Sequence, residues 1–223
     1  EEAVRQYQRA LEVDDLSTSP DDSRRFDLLL ALGQAQLRAG KREDARRAFR
    51  HAGKIAGRLD EPERLAIVAL EVAPGFFAIE TGVYDPLIVS LLEDALRALP
   101  PGDSELRARV LGRLAMALYW SDSLPRREQL IREATDIAER LGDPGTSAFV
   151  AQARLVALWG PDSFDDRVVE STDVIEKAEE AGERELSLIG RVFRIVTLLE
   201  AAEREDFDRE VDVFCQFVED PRH

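Results

Sequence analysis

One cysteine and two histidines are all that this chain of 223 residues holds of the side chains that most often grip metals or attack substrates. Cys215 alone can close no intrachain disulfide and build no thiolate cluster. It lies in DVFCQFVED among Phe214, Phe217 and Val218, a setting that predicts a buried small hydrophobe and not a nucleophile. His51 follows Arg50 on a charged segment, His223 ends the chain, and no carboxylate near either has metal-ligand spacing. A glycine-rich phosphate loop, a Gly-x-Ser-x-Gly elbow and an HExxH sequence are all missing. Carboxylate pairs such as Glu179-Glu180 are frequent, but among 45 acidic residues such neighbours arise on any solvated helix face. The expectation is a chain with no catalytic residue, no metal site and no cofactor.

Positive charge is also short. Thirty basic residues against 45 acidic ones leave a formal net charge of −15, which repels phosphate backbones and anionic membrane surfaces alike. Neither nucleic acid nor membrane is therefore an expected partner. Long apolar runs are absent as well: LAIVALEVAPGFFAI, Leu65 to Ile79, falls short of the roughly 20 residues a bilayer requires and carries Glu71 and a Pro-Gly pair. It reads as a buried helix, kinked or split at Pro74-Gly75. With no signal peptide and a single thiol, the expected compartment is the cytoplasm.

The acidic stretch DDLSTSPDDS, Asp14 to Ser23, has the oxygen spacing of a calcium loop from Asp15 to Asp21. Pro20 and Phe26 then stand where such a loop needs Gly and Glu. A solvated connection in which Ser19 caps a helix beginning near Pro20 is the simpler reading.

What the chain has in abundance is helical rhythm, with no strand-like alternation. DLLLALGQAQLRAG aligns Leu28, Leu29, Leu32, Ala35 and Leu37 near one stripe. EDARRAFRHAGKIAGRL does the same with Ala45, Ala48, Phe49, Ala52, Ile55, Ala56 and Leu59. Gly40, Gly102, Gly142 and Gly182 each follow such a run, where glycine accepts the left-handed conformation of a helix end. Asp85-Pro86 and Asp143-Pro144 read as N-cap plus first helical residue, and Asp60 to Glu63 (DEPE) has the spacing of a capping box. These signals predict eleven helices, at 1–14, 21–39, 42–59, 61–80, 86–99, 103–121, 124–141, 144–159, 164–181, 183–203 and 205–219.

A period runs through them. Gly102, Gly142 and Gly182 recur at steps of 40 residues, and ALYWSDS at Ala117 returns as ALWGPDS at Ala157. RLDEP at Arg58 and RLGDP at Arg140 lie 82 apart, two periods with a small insertion. Helix pairs repeating at this length predict an all-α, right-handed solenoid of antiparallel hairpins, in which each pair buries its apolar face on its neighbours.

The segment Leu29 to Ala52 resembles a tetratricopeptide repeat through Leu29, Leu32-Gly33, Ala45, Phe49 and Ala52, with Gln36 in place of the usual aromatic and Gly57 where proline is common. A degenerate copy follows at Leu111, Leu114-Ala115, Leu118, Ile131 and Ala134, with Arg127 where a small residue is expected. The period near 40, with LYWSD, RLGDP and ALPPGDSELRARVLGRLA, is similar to the helical arms of large bacterial signal-transduction ATPases and LuxR-type regulators. That resemblance implies one repeat domain over 1–223 that senses an inducer or binds a partner, with any ATP-binding or DNA-binding chemistry in other domains. The absent initiator Met, an opening segment (Ala3, Tyr7, Ala10) that reads as the second helix of a pair, and the final turn-like EDPRH predict a piece of a longer array.

In tetratricopeptide arrays the first helix of each pair lines a concave face. Projection from the first copy places Gln34 and Arg38 there as polar groups, and Phe76, Met116, Tyr119, Trp120 and Trp159 as an apolar stripe suited to a peptide segment or small inducer. Two alternatives stand beside this. The aromatics can be packing between repeats, and the array can be a spacer or self-association scaffold without a specific ligand.

Overall fold

The computed structural model describes residues 1–16, 21–72, 84–121, 123–160 and 164–219. Among them every regular element is an α-helix, as the periodicity predicts, and within each compact unit consecutive helices pack on one another. No helix among the described residues is long and apolar enough to cross a membrane. The chain divides into two compact units, Glu1–Pro101 and Gly102–His223.

The first unit holds α1 (Glu2–Asp15), α2 (Asp22–Arg38), α3 (Arg42–Leu59), α4 (Pro62–Glu71) and α5 (Pro86–Ala98). Asp21 starts α2 by accepting from the backbone N–H groups of Ser23 and Arg24 at 3.0 and 3.1 Å, while Ser19 lies outside the described residues. Asp85 caps α5 in the same way, with Pro86 at the first helical position as its sequence predicts. Helix α1 buries Val4, with Tyr7 and Leu11 half-buried behind it, against Leu32, Ala35 and Ala48. Of the stripe read from the sequence, Tyr7 and Ala10 are half-buried and Ala3 is exposed, its place taken by Val4.

The α2–α3 hairpin carries the repeat signature physically. A methyl group at Gly33 would stand 2.5 Å from Phe49 Cε1, so the two helices approach as closely as they do only because α2 has no side chain at this point. Phe49 fills that notch and is fully buried.

The second unit holds α6 (Glu105–Ala117), α7 (Leu124–Leu141), α8 (Pro144–Ala157), α9 (Phe164–Ala181), α10 (Arg184–Glu200) and α11 (Arg204–Glu219). Beyond the hairpin contacts, α6 packs on α8 and α8 on α10, so the first helices of successive pairs stack into one layer. Such helices are enclosed on several sides and must be apolar nearly all round. Accordingly Val110 to Leu118 form an unbroken buried run, and in α8 every residue from Ala148 to Ala157 except Arg154 is buried.

Helix ends repeat as regularly as the interiors. Three of the four glycines expected there, Gly40, Gly142 and Gly182, adopt positive φ, between 64° and 74°, whereas Gly102 does not, because α5 already ends at Ala98 with Leu99 extended. Asp60 takes the same left-handed conformation after α3, so it ends that helix instead of opening α4 with the capping box that DEPE suggests. It stands where RLGDP has Gly142. Hairpin ends are tied by a recurrent ion pair: Arg58 reaches Asp22 at 3.0 Å, and Arg140 meets Asp103 through two bonds of 2.6 and 2.9 Å.

Ala202 is the outlier among these turns. It is exposed, has φ of 60°, and closes α10 by the same bond pattern that glycine serves at Gly182. An alanine in this region is strained by its Cβ, so Ala202→Gly should raise the unfolding free energy by about 1 kcal/mol, read from chemical denaturation.

Two readings of the sequence are corrected here. Cys215 is exposed, not buried: α11 packs on α10, and among the described residues its Phe207, Glu210, Val211, Phe214 and Phe217 side is the one that turns inward. Helices α6 and α8 stop at Ala117 and Ala157, short of the predicted 121 and 159. Both duplicated aromatic motifs therefore leave the helix before their aromatic residues.

Candidate functional site

The α6 helix is closed by Leu118, whose backbone N–H bonds Leu114 O at 3.1 Å, and Leu158 does the same at the end of α8. Tyr119 and Trp120, and their counterpart Trp159, consequently emerge from turns and not from a helical face. Projecting a helical register through them misplaces them for that reason.

Of the predicted stripe, Met116 is fully buried and belongs to the packed layer between α6 and its neighbours. Gln152, Phe149 and Val156, the corresponding positions of α8, are buried too. The face projected as a groove is thus filled by the stacked first helices. Gln34 is half-buried and Arg38 exposed, both on α2 of the first unit, and Phe76 lies outside the described residues. Tyr119 and Trp159 are half-buried, and Trp120 is 44% exposed.

These turn aromatics are locked to each other and to two arginines. The Tyr119 hydroxyl donates to the carbonyl oxygen of Trp159 at 3.2 Å, joining one turn to the same turn of the next pair. Trp120 stands edge-on to Tyr119 with ring centres 5.0 Å apart, and Trp159 stands edge-on to Phe193 at 4.8 Å. Arg127, in the first turn of α7, lies over the Tyr119 ring at 5.1 Å and donates to the carbonyl oxygen of Ala157, the last residue of α8. Forty residues on, Arg167 lies over the Trp159 ring at 4.5 Å and binds Glu200 Oε2 at 2.6 Å, on the last residue of α10.

A second helix thus sends an arginine across its own turn aromatic to the end of the next first helix. Cations at that end oppose the negative pole of the helix, and the guanidinium face stacks on the ring. Burial pushes the Arg127 guanidinium below its ordinary value, against the opposing influence of Tyr119 and Glu128.

Around the second clasp opens a cleft of about 760 Å³, lined by Tyr119, Trp159, Phe164, Asp165, Arg167, Glu200, Ala201 and Glu203. Every one of these residues belongs to the second unit. Arg167 is buried at 3% exposure, whereas Asp165, Glu200 and Glu203 are exposed. Of the predicted residues the cleft unites Tyr119 and Trp159, with Trp120 stacked against its Tyr119 wall. It adds Phe164, Asp165, Arg167, Glu200 and Glu203, which the sequence reading missed. The recurrence of Arg127 as Arg167 at the same 40-residue step as the aromatics is the signal that would have found Arg167.

No group of three or more histidine, cysteine or carboxylate side chains with metal-holding geometry occurs among the described residues.

The chain is similar in structure to BtubC (BKLC) from P. vanneervenii, with a TM-score of 0.69 and 16% identity over 97% of this chain and 89% of that one. At that identity the likeness speaks for the helical fold alone. No family model and no curated protein matches the sequence.

Proposed function

We propose that the chain is a non-catalytic, tetratricopeptide-like interaction arm of a larger cytoplasmic regulator, similar to the arms of signal-transduction ATPases and LuxR-type regulators. It binds a protein segment at the aromatic turns of the second unit. The observation that carries the reading is the exposure of Trp120 beside an open cleft walled by Tyr119, Trp159 and Phe164. A large aromatic left in water next to a concavity with aromatic walls marks a surface that binds, and tryptophan is among the residues most enriched at binding hot spots. An open cleft of this kind suits a chain segment better than an enclosed inducer.

Selection of a random peptide library against the full chain tests this. At least one enriched peptide should lose binding to Trp120→Ala, while the melting temperature of that variant stays close to the parent. Removing an exposed, edge-stacked ring costs about 1 kcal/mol at most. If no peptide is enriched, or if those enriched bind Trp120→Ala unchanged, the spacer reading replaces this one.

A further inference from the structure

Resting on that interaction reading, we infer that the cleft beside Trp159 selects a partner segment presenting an arginine or lysine side chain. Among the described residues its lining holds one cation, Arg167, against three carboxylates, Asp165, Glu200 and Glu203. Glu200 is engaged by Arg167 at 2.6 Å, which leaves Asp165 and Glu203 as net negative charge. Neither makes an ion pair through its side chain among the described residues, and both are exposed.

The backbone adds to that charge. The C-terminal end of α10, the negative pole of that helix, opens at Glu200 and Ala201 on one wall. The first turn of α9 also lines the cleft, with Asp165 and Asp166 countering the positive pole of that helix. The rings of Tyr119, Trp159 and Phe164 complete the lining.

Apolar rings beneath carboxylates match one kind of side chain closely: a long aliphatic stem that packs on the rings and ends in a cation. Anionic segments meet the opposite field here, and the chain as a whole carries a net charge of −15.

The probes are capped Gly-Ser peptides carrying a Leu-Arg-Leu-Arg core, its lysine version and its glutamate version, each titrated against the full chain by fluorescence anisotropy and tryptophan emission. The arginine and lysine peptides should bind and the glutamate peptide should not. Asp165→Asn/Glu203→Gln should weaken the basic peptides about tenfold. Glu176→Gln/Glu180→Gln removes the same charge from two exposed positions of α9 outside the cleft lining, and should leave binding near the parent value. All four positions are exposed, and the single substitutions are measured with the pairs so that any loss of folding is seen in the melting temperature.

Equal weakening by both pairs would reduce the effect to general charge attraction and overturn the inference. Binding of the glutamate peptide would overturn the choice of cation while leaving the interaction reading intact. So would concentration-dependent self-association abolished by Asp165→Asn/Glu203→Gln, which would seat a second copy in the cleft. Failure of every probe overturns the inference, and the library selection then decides separately whether any segment binds.

Discussion

Phe49→Ala should lower the unfolding free energy of the first unit by about 4 kcal/mol, the range for emptying a fully buried aromatic site. Phe49 has no exposed surface, and it is seated in the notch that Gly33 leaves in α2. The reverse test is Gly33→Ala. Its new methyl would meet three ring carbons of Phe49 within 2.8 Å, so overpacking outweighs the alanine's helical preference and the variant should lose about 2 kcal/mol. Gly57→Ala is the control: Gly57 lies in α3, is exposed, and has nothing within 4 Å of an added methyl. There only the preference acts, so stability should rise by about 0.5–1 kcal/mol. A double substitution, Gly33→Ala with Phe49→Leu, should be less harmful than the sum of its parts, because the smaller side chain vacates the space the methyl needs. Strict additivity in a chemical-denaturation cycle would mean that the notch is not what positions the two helices.

Gly33 and Phe49 are also where the sequence was most legible. Their spacing is what resembles a tetratricopeptide repeat, and the contact between them shows what that spacing builds in this hairpin. Helix caps read equally well at Asp85 and Asp143, where an acid before proline has few alternatives to starting a helix. Asp60 misled because an acid before Glu-Pro has the composition of a cap. Yet its place after α3 calls for a left-handed residue, a requirement visible only by alignment with Gly142 in the second copy of the phrase.

The site was legible in part, for a definable reason. Projection by helical period is valid only while the chain remains helical, and α6 ends at Ala117, two residues before Tyr119. Met116, still inside the helix, was projected to an open face on the premise that first helices are exposed along one side. Stacking of α6 on α8 and α8 on α10 removes that side in the second unit. The near-continuous apolar character of LGRLAMAL and FVAQARLVAL carries this information, because a helix with one solvated face would interleave charges. Charge alone could not locate the cleft either. Its carboxylates come from the start of α9 and the end of α10, which are distant in sequence and meet only through the packing of that pair.

Arg167 is the residue on which that cleft depends for its shape, and Arg167→Ala should destabilise the second unit by about 2–3 kcal/mol. Three separate contributions are lost together. Its stem is buried, its guanidinium covers Trp159 at 4.5 Å with Phe164 6.0 Å away, and its Nη1 anchors Glu200 at the end of α10. The ion pair alone is the smallest of these, because Glu200 keeps half of its side chain in water and an exposed partner is readily resolvated. Arg167→Met separates the terms: it restores much of the buried stem and should recover more than half of the loss, while Glu200→Gln in the parent should cost little. Arg167→Lys retains charge without the flat face or the fork of donors, and should behave no better than the methionine variant. The equivalent Arg127 is half-buried, so Arg127→Ala should cost less than Arg167→Ala. Trp159 reports the change directly. Stripped of its stacked guanidinium, the indole opens to water from the cleft side, and its emission should shift to the red before any global unfolding. If Arg167→Lys matches the parent in stability and emission, charge and not stacking holds the turn, and the aromatic repeat has no structural partner in the arginine repeat.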